Sequence, residues 1–210
     1  MSLKTFILTT SITTSLLSSG AIATLSLFDT PLLTSLPASR SLPLTRWLFS
    51  RGSHIFPTAA LLSSSGFAYL AYTSASRSLS TLLTTAPRGG PVTYYIAAAA
   101  LSIAIAPWTQ FVMIPTNFEL IERNEAKGGK ISSGAPEGAT GRSAEGSVNN
   151  EGGTNQFTDL SGPQGRTKEG TSREEDEEVR ELLVRFGRLN GVRAVLIGLG
   201  GVAGLVGSLA

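Results

Sequence analysis

The chain has 210 residues, of which 41% are hydrophobic and only 15% are charged. It has no cysteine and one histidine, which excludes disulfides, thiolate metal sites and a metal centre built on several histidines of one chain. The formal net charge is only +2 and no basic face is evident in the sequence, so nucleic-acid binding has no support.

The charged residues are crowded into blocks and leave four long stretches without a formal charge. These stretches are bounded by Lys4 and Asp29, by Arg51 and Arg77, by Arg88 and Glu119, and by Arg193 and the chain end. A single Lys, Arg or Asp at the middle of a bilayer costs about 2.5 to 3.5 kcal/mol, so charge-free runs suit lipid. The sequence therefore predicts an all-α fold, a four-helix transmembrane bundle with helices 1–3 in residues 1–123.

The first predicted span covers residues 5–28 and would measure about 36 Å as a helix, enough to cross a hydrocarbon core. A cleaved signal peptide is the competing interpretation. We favour a retained span because residues 22–28 stay apolar after Gly20. Residues 29–53 contain three prolines and Gly52, a composition that predicts an irregular connection at headgroup level.

The second and third predicted spans cover residues 54–76 and 91–118. Residues 124–171 are expected to form a long disordered loop between helices 3 and 4, because they are rich in glycine and small polar residues and poor in large apolar ones. In the last section, residues 172–210, Ser172 and Glu175 have capping-box spacing. A surface helix is expected there, leading into a fourth span over residues 194–210.

The basic residues predict the orientation of the spans. The loops after spans one and three carry 14 of the 17 Lys and Arg residues, and basic residues concentrate on the cytosolic side of short membrane loops. Both termini are therefore expected to face away from the cytosol. We expect a multi-pass integral membrane protein in contact with lipid, in an organelle membrane such as the endoplasmic reticulum.

The third predicted span carries the most informative polar pattern. Pro107 and Pro115 each remove a helical hydrogen bond and free a carbonyl four residues earlier. At α-helical spacing, one face would hold Thr109, Gln110, Met113, Thr116 and Asn117. Two interpretations stay open: these groups bond to neighbouring helices, or they line a pocket for a substrate.

Other polar residues have a plain and a functional interpretation as well. His54 is either an interfacial residue or a general base, since its unperturbed pKa lies near neutrality. Asn190 and Arg193, one helical turn apart, are either an interfacial anchor pair or a site. Trp47 and Trp108 suit a membrane aromatic belt, although Trp108 beside Pro107 could lie deeper.

The fourth span contains a row of glycines. Gly198, Gly200 and Ala203 match the spacing of a dinucleotide-binding fingerprint, but no βαβ unit can follow them. The favoured interpretation is close helix packing through the pair Gly200 and Gly204.

Two segments resemble a known family. PWTQFVMIPTNFEL, starting at Pro107, and FGRLNGVRAVL, starting at Phe186, are similar to the motifs of fungal anthrone oxygenases, which are four-span membrane proteins. Phe186 stands where that family often has tryptophan, and the insertion at residues 128–170 is unusually long.

The resemblance implies a monooxygenase of secondary metabolism that converts a polyketide-derived anthrone to an anthraquinone. It implies molecular oxygen as co-substrate and no flavin, haem or metal. For this activity we expect Asn117 and Gln110 to donate hydrogen bonds to the substrate oxygens, Arg193 to stabilise an enolate, and His54 to act as the base. The substrate-binding residues would be Trp108, Thr109, Gln110, Met113, Thr116 and Asn190.

A different class of protein remains open. The chain could be a non-enzymatic tetraspan scaffold whose polar stripe binds a partner helix. A transporter is disfavoured because no ionisable residue lies within a span to relay protons. Association with other enzymes of the same pathway is also possible for an oxygenase.

Overall fold

The computed structural model describes residues 1–136, 140–149 and 158–210, which form helices and no strands. The prediction of an all-α fold is confirmed. The α-helices are α1 (Leu3–Thr24), α2 (Thr30–Thr34), α3 (Ala38–Ser74), α4 (Leu79–Thr85), α5 (Pro91–Ile103), α6 (Ile105–Trp108), α7 (Ile114–Ala126), α8 (Ala144–Val148) and α9 (Arg173–Leu209).

Two π-helical turns, Leu25–Asp29 and Thr109–Met113, interrupt these helices. Each ends two residues before a proline, Pro31 in the first case and Pro115 in the second. A proline ring clashes with the carbonyl four residues earlier and donates no hydrogen bond to it, which explains why the turn before it widens.

Three helical stretches of the described chain are long and apolar enough to cross a membrane: Leu3–Thr34, Pro91–Ala126 and Arg173–Leu209. They indicate an integral membrane protein and include the predicted first, third and fourth spans. The predicted second span lies in helix α3, which is not among the three. The count of four spans therefore stays a prediction.

Helix α3 corrects the expectation of an irregular connection over residues 29–53, because it begins at Ala38 and continues through Pro43. Pro43 cannot donate to the carbonyl of Ser39. That carbonyl instead accepts the backbone N–H of Thr167 at 2.7 Å. A donor far along the chain thus satisfies the acceptor that proline frees, and the helix is kept.

The described chain divides into two compact units. The first contains residues 1–24, 56–110 and 190–210. Its core is formed by Phe67, Leu70 and Ala71 of α3 with Tyr95 and Ala98 of α5.

Glycines of α9 fit closely against three helices of this first unit. A Cβ atom at Gly200 would stand 2.6 Å from Ser102 Oγ on α5, and one at Gly198 would stand 2.6 Å from Ser19 Oγ on α1. Gly204 meets the ring of Phe67 on α3. The packing interpretation of the glycine row is confirmed.

The second unit contains residues 25–55 and 111–189. Phe49 of α3 and Phe186 of α9 meet edge to face with ring centroids 5.0 Å apart. Helix α7 joins α9 through Arg123, whose guanidinium bonds Glu178 at 2.6 Å. The start of α9 also holds α3, since Asp176 accepts the N–H of Ala38 at 2.7 Å.

Helix α9 begins with the predicted capping box. The N–H of Ser172 donates to Glu175 Oε2 at 2.8 Å, and the N–H of Glu175 donates to Ser172 Oγ at 3.2 Å. The expected surface helix and last span form one helix of 37 residues.

The expectation of disorder over residues 124–171 is not confirmed. Residues 137–139 and 150–157 lie outside the described residues. The described parts hold helix α8 and several buried groups, among them Glu125 and Ser147. Trp47 Nε1 on α3 donates to the carbonyl of Ser161 at 3.0 Å. Local composition did not reveal the contact of Trp47 with Ser161, because the two residues lie more than a hundred positions apart in sequence.

Candidate functional site

Asn190 and Arg193 form a buried polar pair on helix α9 in the first unit. They lie three residues apart, which places them on neighbouring positions of one helix face. Arg193 Nη1 donates to Asn190 Oδ1 at 3.0 Å. The guanidinium carbon lies 5.5 Å from the ring centroid of Phe56, a residue of α3 in the same unit, within the range of a cation–π contact.

Among the described residues, no carboxylate balances the charge of Arg193. The residue is only 8% exposed, forms no salt bridge within the described part of the chain, and its Nε–H has no hydrogen-bond partner there. Burying an uncompensated charge costs roughly several kcal/mol, so this arrangement by itself destabilises the folded state. It suits a site that receives an anion or a developing negative charge.

Trp108, Thr109 and Gln110 also belong to the first unit, at the junction of α6 and the second π turn. Trp108 is half-buried, and Thr109 Oγ1 donates back to the carbonyl of Ile105 at 2.7 Å. Gln110 is exposed, as is its neighbour Phe111.

The exposure of Gln110 corrects the expectation of one polar face. That expectation assumed 3.6 residues per turn throughout, whereas the π turn Thr109–Met113 uses more residues per turn. Gln110 is exposed, whereas Met113 and Thr116 are buried.

Met113, Thr116 and Asn117 lie in the second unit, at the start of α7. Met113 and Thr116 are buried and Asn117 is half-buried. Thr116 Oγ1 and Asn117 Oδ1 are inaccessible to solvent, and neither has a hydrogen-bond partner among the described residues. Buried polar atoms are normally bonded, so the hydroxyl of Thr116 can donate to or accept from a bound molecule, and Oδ1 of Asn117 can accept from one.

His54 lies in the second unit on α3, half-buried, with its Nε2 atom inaccessible to solvent. Phe56, the ring that packs on Arg193, follows two positions later. Residues two apart in a helix point in different directions, so His54 and Phe56 occupy different faces of α3.

A charge network in the second unit was not anticipated from the sequence. Glu125 accepts from Arg142 at 2.9 Å and from Ser147 Oγ at 2.5 Å. Arg46, almost fully buried, donates to the carbonyl of Ser147 at 2.8 Å. Burial lowers the pKa of Arg46 to about 10; the carboxylate of Glu125 opposes that shift and Arg142 adds to it. The network anchors the chain after α7 to helix α3.

The structure thus divides the predicted site residues between the two units. Trp108, Thr109, Gln110, Asn190 and Arg193 belong to the first unit, and His54, Met113, Thr116 and Asn117 to the second. Sequence reasoning missed Phe56, because an aromatic residue in an apolar span carries no signal that it faces an arginine. No group of three or more His, Cys, Asp or Glu side chains suited to a metal ion occurs among the described residues.

The sequence was compared with known proteins. The family model described as Anthrone oxygenase matches residues 46–203, well over half of the chain. This range includes Arg193, Asn190 and Phe56 as well as both motifs singled out above. No curated protein and no solved structure matches the chain.

Proposed function

The chain belongs to the anthrone oxygenase family, and on that premise we propose that it oxidises a polyketide-derived anthrone to an anthraquinone without a cofactor. Family membership indicates an oxygenase, and the long apolar helices indicate a membrane protein. The particular reaction is our proposal. It is supported above all by the buried guanidinium of Arg193, which has no carboxylate partner in the part of the chain that the structure describes.

The proposed role of Arg193 follows from the acidity of the substrate. An anthrone methylene stands next to two aromatic rings and opposite a ketone, so loss of one proton gives a delocalised enolate. A guanidinium 4 Å from the enolate oxygen would stabilise it by about 4 kcal/mol at an effective dielectric constant near 20. Asn190 would position this group through its bond to Nη1, and Phe56 would restrict it on the other side.

The reaction balances without an external reductant. The enolate carbon reduces molecular oxygen and a carbon–oxygen bond forms. The oxygen–oxygen bond then breaks as the second methylene hydrogen is lost. One oxygen atom stays as the new quinone carbonyl and the other leaves as water. The protein's tasks would be to bind a flat apolar tricycle, favour its enolate and exclude bulk water.

Trp108, Thr109, Met113, Thr116 and Asn117 complete the proposal as substrate-binding residues, with Asn117 as a hydrogen-bonding partner of the substrate oxygens. Two atoms without partners among the described residues support this role: Thr116 Oγ1 can donate to a substrate oxygen, and Asn117 Oδ1 can accept from a substrate hydroxyl. His54 is the proposed base, as the one histidine of the chain. Gln110 is left out of the proposed site because its side chain is exposed.

The test is oxidation of a hydroxylated anthrone by the full-length protein in detergent micelles, measured as oxygen uptake and quinone absorbance. With ¹⁸O₂, one labelled oxygen is expected in each quinone. Arg193→Gln should lower kcat/KM about a hundredfold, as loss of one stabilising donor does in other enzymes. Arg193→Lys should retain part of the rate, because it keeps the charge.

The matched control is Arg173→Gln, which removes an exposed arginine from the same helix. It should leave the rate unchanged. A folded Arg193→Gln protein with the parental rate would refute the role of Arg193. Quinone formation no faster than the spontaneous background would refute the oxygenase and favour a scaffold. Asn117→Ala and His54→Ala at the parental rate would remove those two residues from the mechanism.

A further inference from the structure

A shallow, open groove lies between side chains of α9 itself in the second unit, ahead of the predicted last span. It is lined by Glu177, Arg180, Glu181, Val184, Arg185 and Arg188.

The charges in this groove are distributed unevenly. Arg180 is engaged, since it bonds Glu177 and the carbonyl of Thr34. Arg185 and Arg188, both exposed, form no ion pair or side-chain hydrogen bond within the described residues. They lie three residues apart on one face, where two like charges repel each other. The end of the groove nearer the last span therefore presents two guanidinium groups that have no partner among the described residues.

The position of these two arginines along the helix indicates what they meet. A span needs about 20 residues, and 20 residues counted back from the end of α9 at Leu209 begin at Asn190. Arg188 then lies about 3 Å and Arg185 about 8 Å outside the hydrocarbon, at 1.5 Å of rise per residue. The headgroup layer is roughly 5 to 7 Å thick on each side, so both guanidinium groups reach it.

The headgroup layer must also be negatively charged if it is to bind the two arginines. The distribution of basic residues predicts that this end of α9 faces the cytosol, where the leaflet carries anionic lipids. Guanidinium groups bind phosphate through paired hydrogen bonds, and Val184 adds an apolar side chain to the lining of the groove. We propose that Arg185 and Arg188 form a binding site for the headgroup of an anionic phospholipid. This site is independent of the proposed reaction.

The test uses the purified full-length protein in a zwitterionic detergent. Its apparent affinity for phosphatidylserine is measured by native mass spectrometry, beside phosphatidylcholine and inorganic phosphate. Phosphatidylserine should bind in preference to phosphatidylcholine. The double variant Arg185→Gln/Arg188→Gln should weaken its binding roughly thirtyfold, from two basic residues near the membrane surface. Glu181→Gln, which removes a carboxylate from the groove, should not weaken it.

A matched control removes the same charge elsewhere. Arg166→Gln/Arg173→Gln changes two exposed arginines outside the groove and should leave lipid binding within about twofold of the parent. Equal losses in the two double variants would mean attraction by net charge and would overturn the proposal. So would equal affinity for the two lipids. Binding of inorganic phosphate as tight as that of phosphatidylserine would show an anion site without lipid specificity.

Discussion

Gly204 on helix α9 faces the ring of Phe67 on helix α3 so closely that a Cβ atom at position 204 would overlap Cε1 of that ring. Both residues are buried, and Phe67 belongs to the core of the first unit. Apolar helices in lipid have little hydrophobic reason to associate, so close backbone approach of this kind holds them together.

This contact predicts that Gly204→Ala destabilises the protein by about 1 to 3 kcal/mol, the usual cost of overpacking a core. Thermal unfolding in detergent, followed by circular dichroism, measures it. Gly20→Ala is the control, because no atom lies within 4 Å of the added Cβ there and the residue is within helix α1. That change should be neutral or stabilising by up to about 1 kcal/mol. Equal behaviour of the two variants would contradict the packing role of Gly204.

The bond between Asn190 and Arg193 predicts that one substitution, Asn190→Asp, raises stability and lowers activity. Asn190→Asp keeps the shape of the side chain and gives Arg193 the carboxylate that it lacks in the described chain. The folded protein should become more stable, because the buried charge is then balanced. Oxidation of anthrone should fall at least about tenfold, because less of the positive charge is available to the enolate.

Unfolding temperature and kcat/KM are measured on the same preparation of this variant. Asn190→Ala is the comparison, and it should lower both, since it removes the acceptor of Nη1 without adding a charge. Undiminished activity in Asn190→Asp would argue that Arg193 acts only in the fold.

The network around Glu125 predicts a structural role for the chain after α7. Glu125→Gln leaves Arg46 and Arg142 without their carboxylate, and breaking a buried pair of this kind costs about 3 to 5 kcal/mol. Limited proteolysis should then cleave residues 140–149 faster than in the parent. Glu145→Gln changes an exposed carboxylate of helix α8, and the protease should cleave this variant at the parental rate. A Glu125→Gln protein as resistant as the parent would show that the network does not hold this segment.

Asp159 predicts an acid-sensitive contact between the loop and helix α3. Burial by itself raises the pKa of Asp159, but hydrogen bonds from serines, including the N–H of Ser161 at 2.9 Å, and the charge of Arg51 outweigh it. The folded-state pKa therefore lies below its ordinary value of 3.8. A lowered acid pKa stabilises the fold above the unfolded value, and this stabilisation is lost as the pH falls through the folded value.

The contact between Trp47 and Ser161 should accordingly weaken below about pH 4 and hold at higher pH. Trp47 fluorescence reports it in a Trp108→Phe background, which leaves one tryptophan. In Asp159→Asn the step should be absent. A step of the same size and midpoint in that variant would assign it to another group.

The predicted second span has its own test, made simple by the absence of cysteine. Leu62 on α3 is 52% exposed and would face lipid if residues 54–76 cross the membrane. In permeabilised membranes, Leu62→Cys should then react with a water-soluble maleimide at least about tenfold more slowly than Leu160→Cys, an exposed loop position. Equal labelling rates for the two variants would mean that residues 54–76 do not cross the membrane, which leaves three spans.

Much of the local structure could be predicted from the sequence. The capping box at Ser172 forms as its spacing indicated, and the glycine row of α9 packs against other helices. These features depend on residues a few positions apart. The start of α3 could not be predicted in this way, because the donor to the carbonyl of Ser39 is the N–H of Thr167, which is far away in sequence.

The candidate site was predicted less completely. The motifs led to Asn190, Arg193 and Asn117, but the turn at Thr109–Met113 changed the helical period and left Gln110 exposed. The ring of Phe56 near Arg193 became visible only in three dimensions.

The sequence by itself determined the all-α character of this protein, its apolar spans and its family, because helix periodicity and the exclusion of charge from lipid are properties of neighbouring residues. The tertiary structure alone decided that Arg193 is buried with no carboxylate partner among the described residues, and that residues after α7 are anchored through Glu125. A charge is costly or useful according to the groups around it, and those groups come from distant parts of the chain.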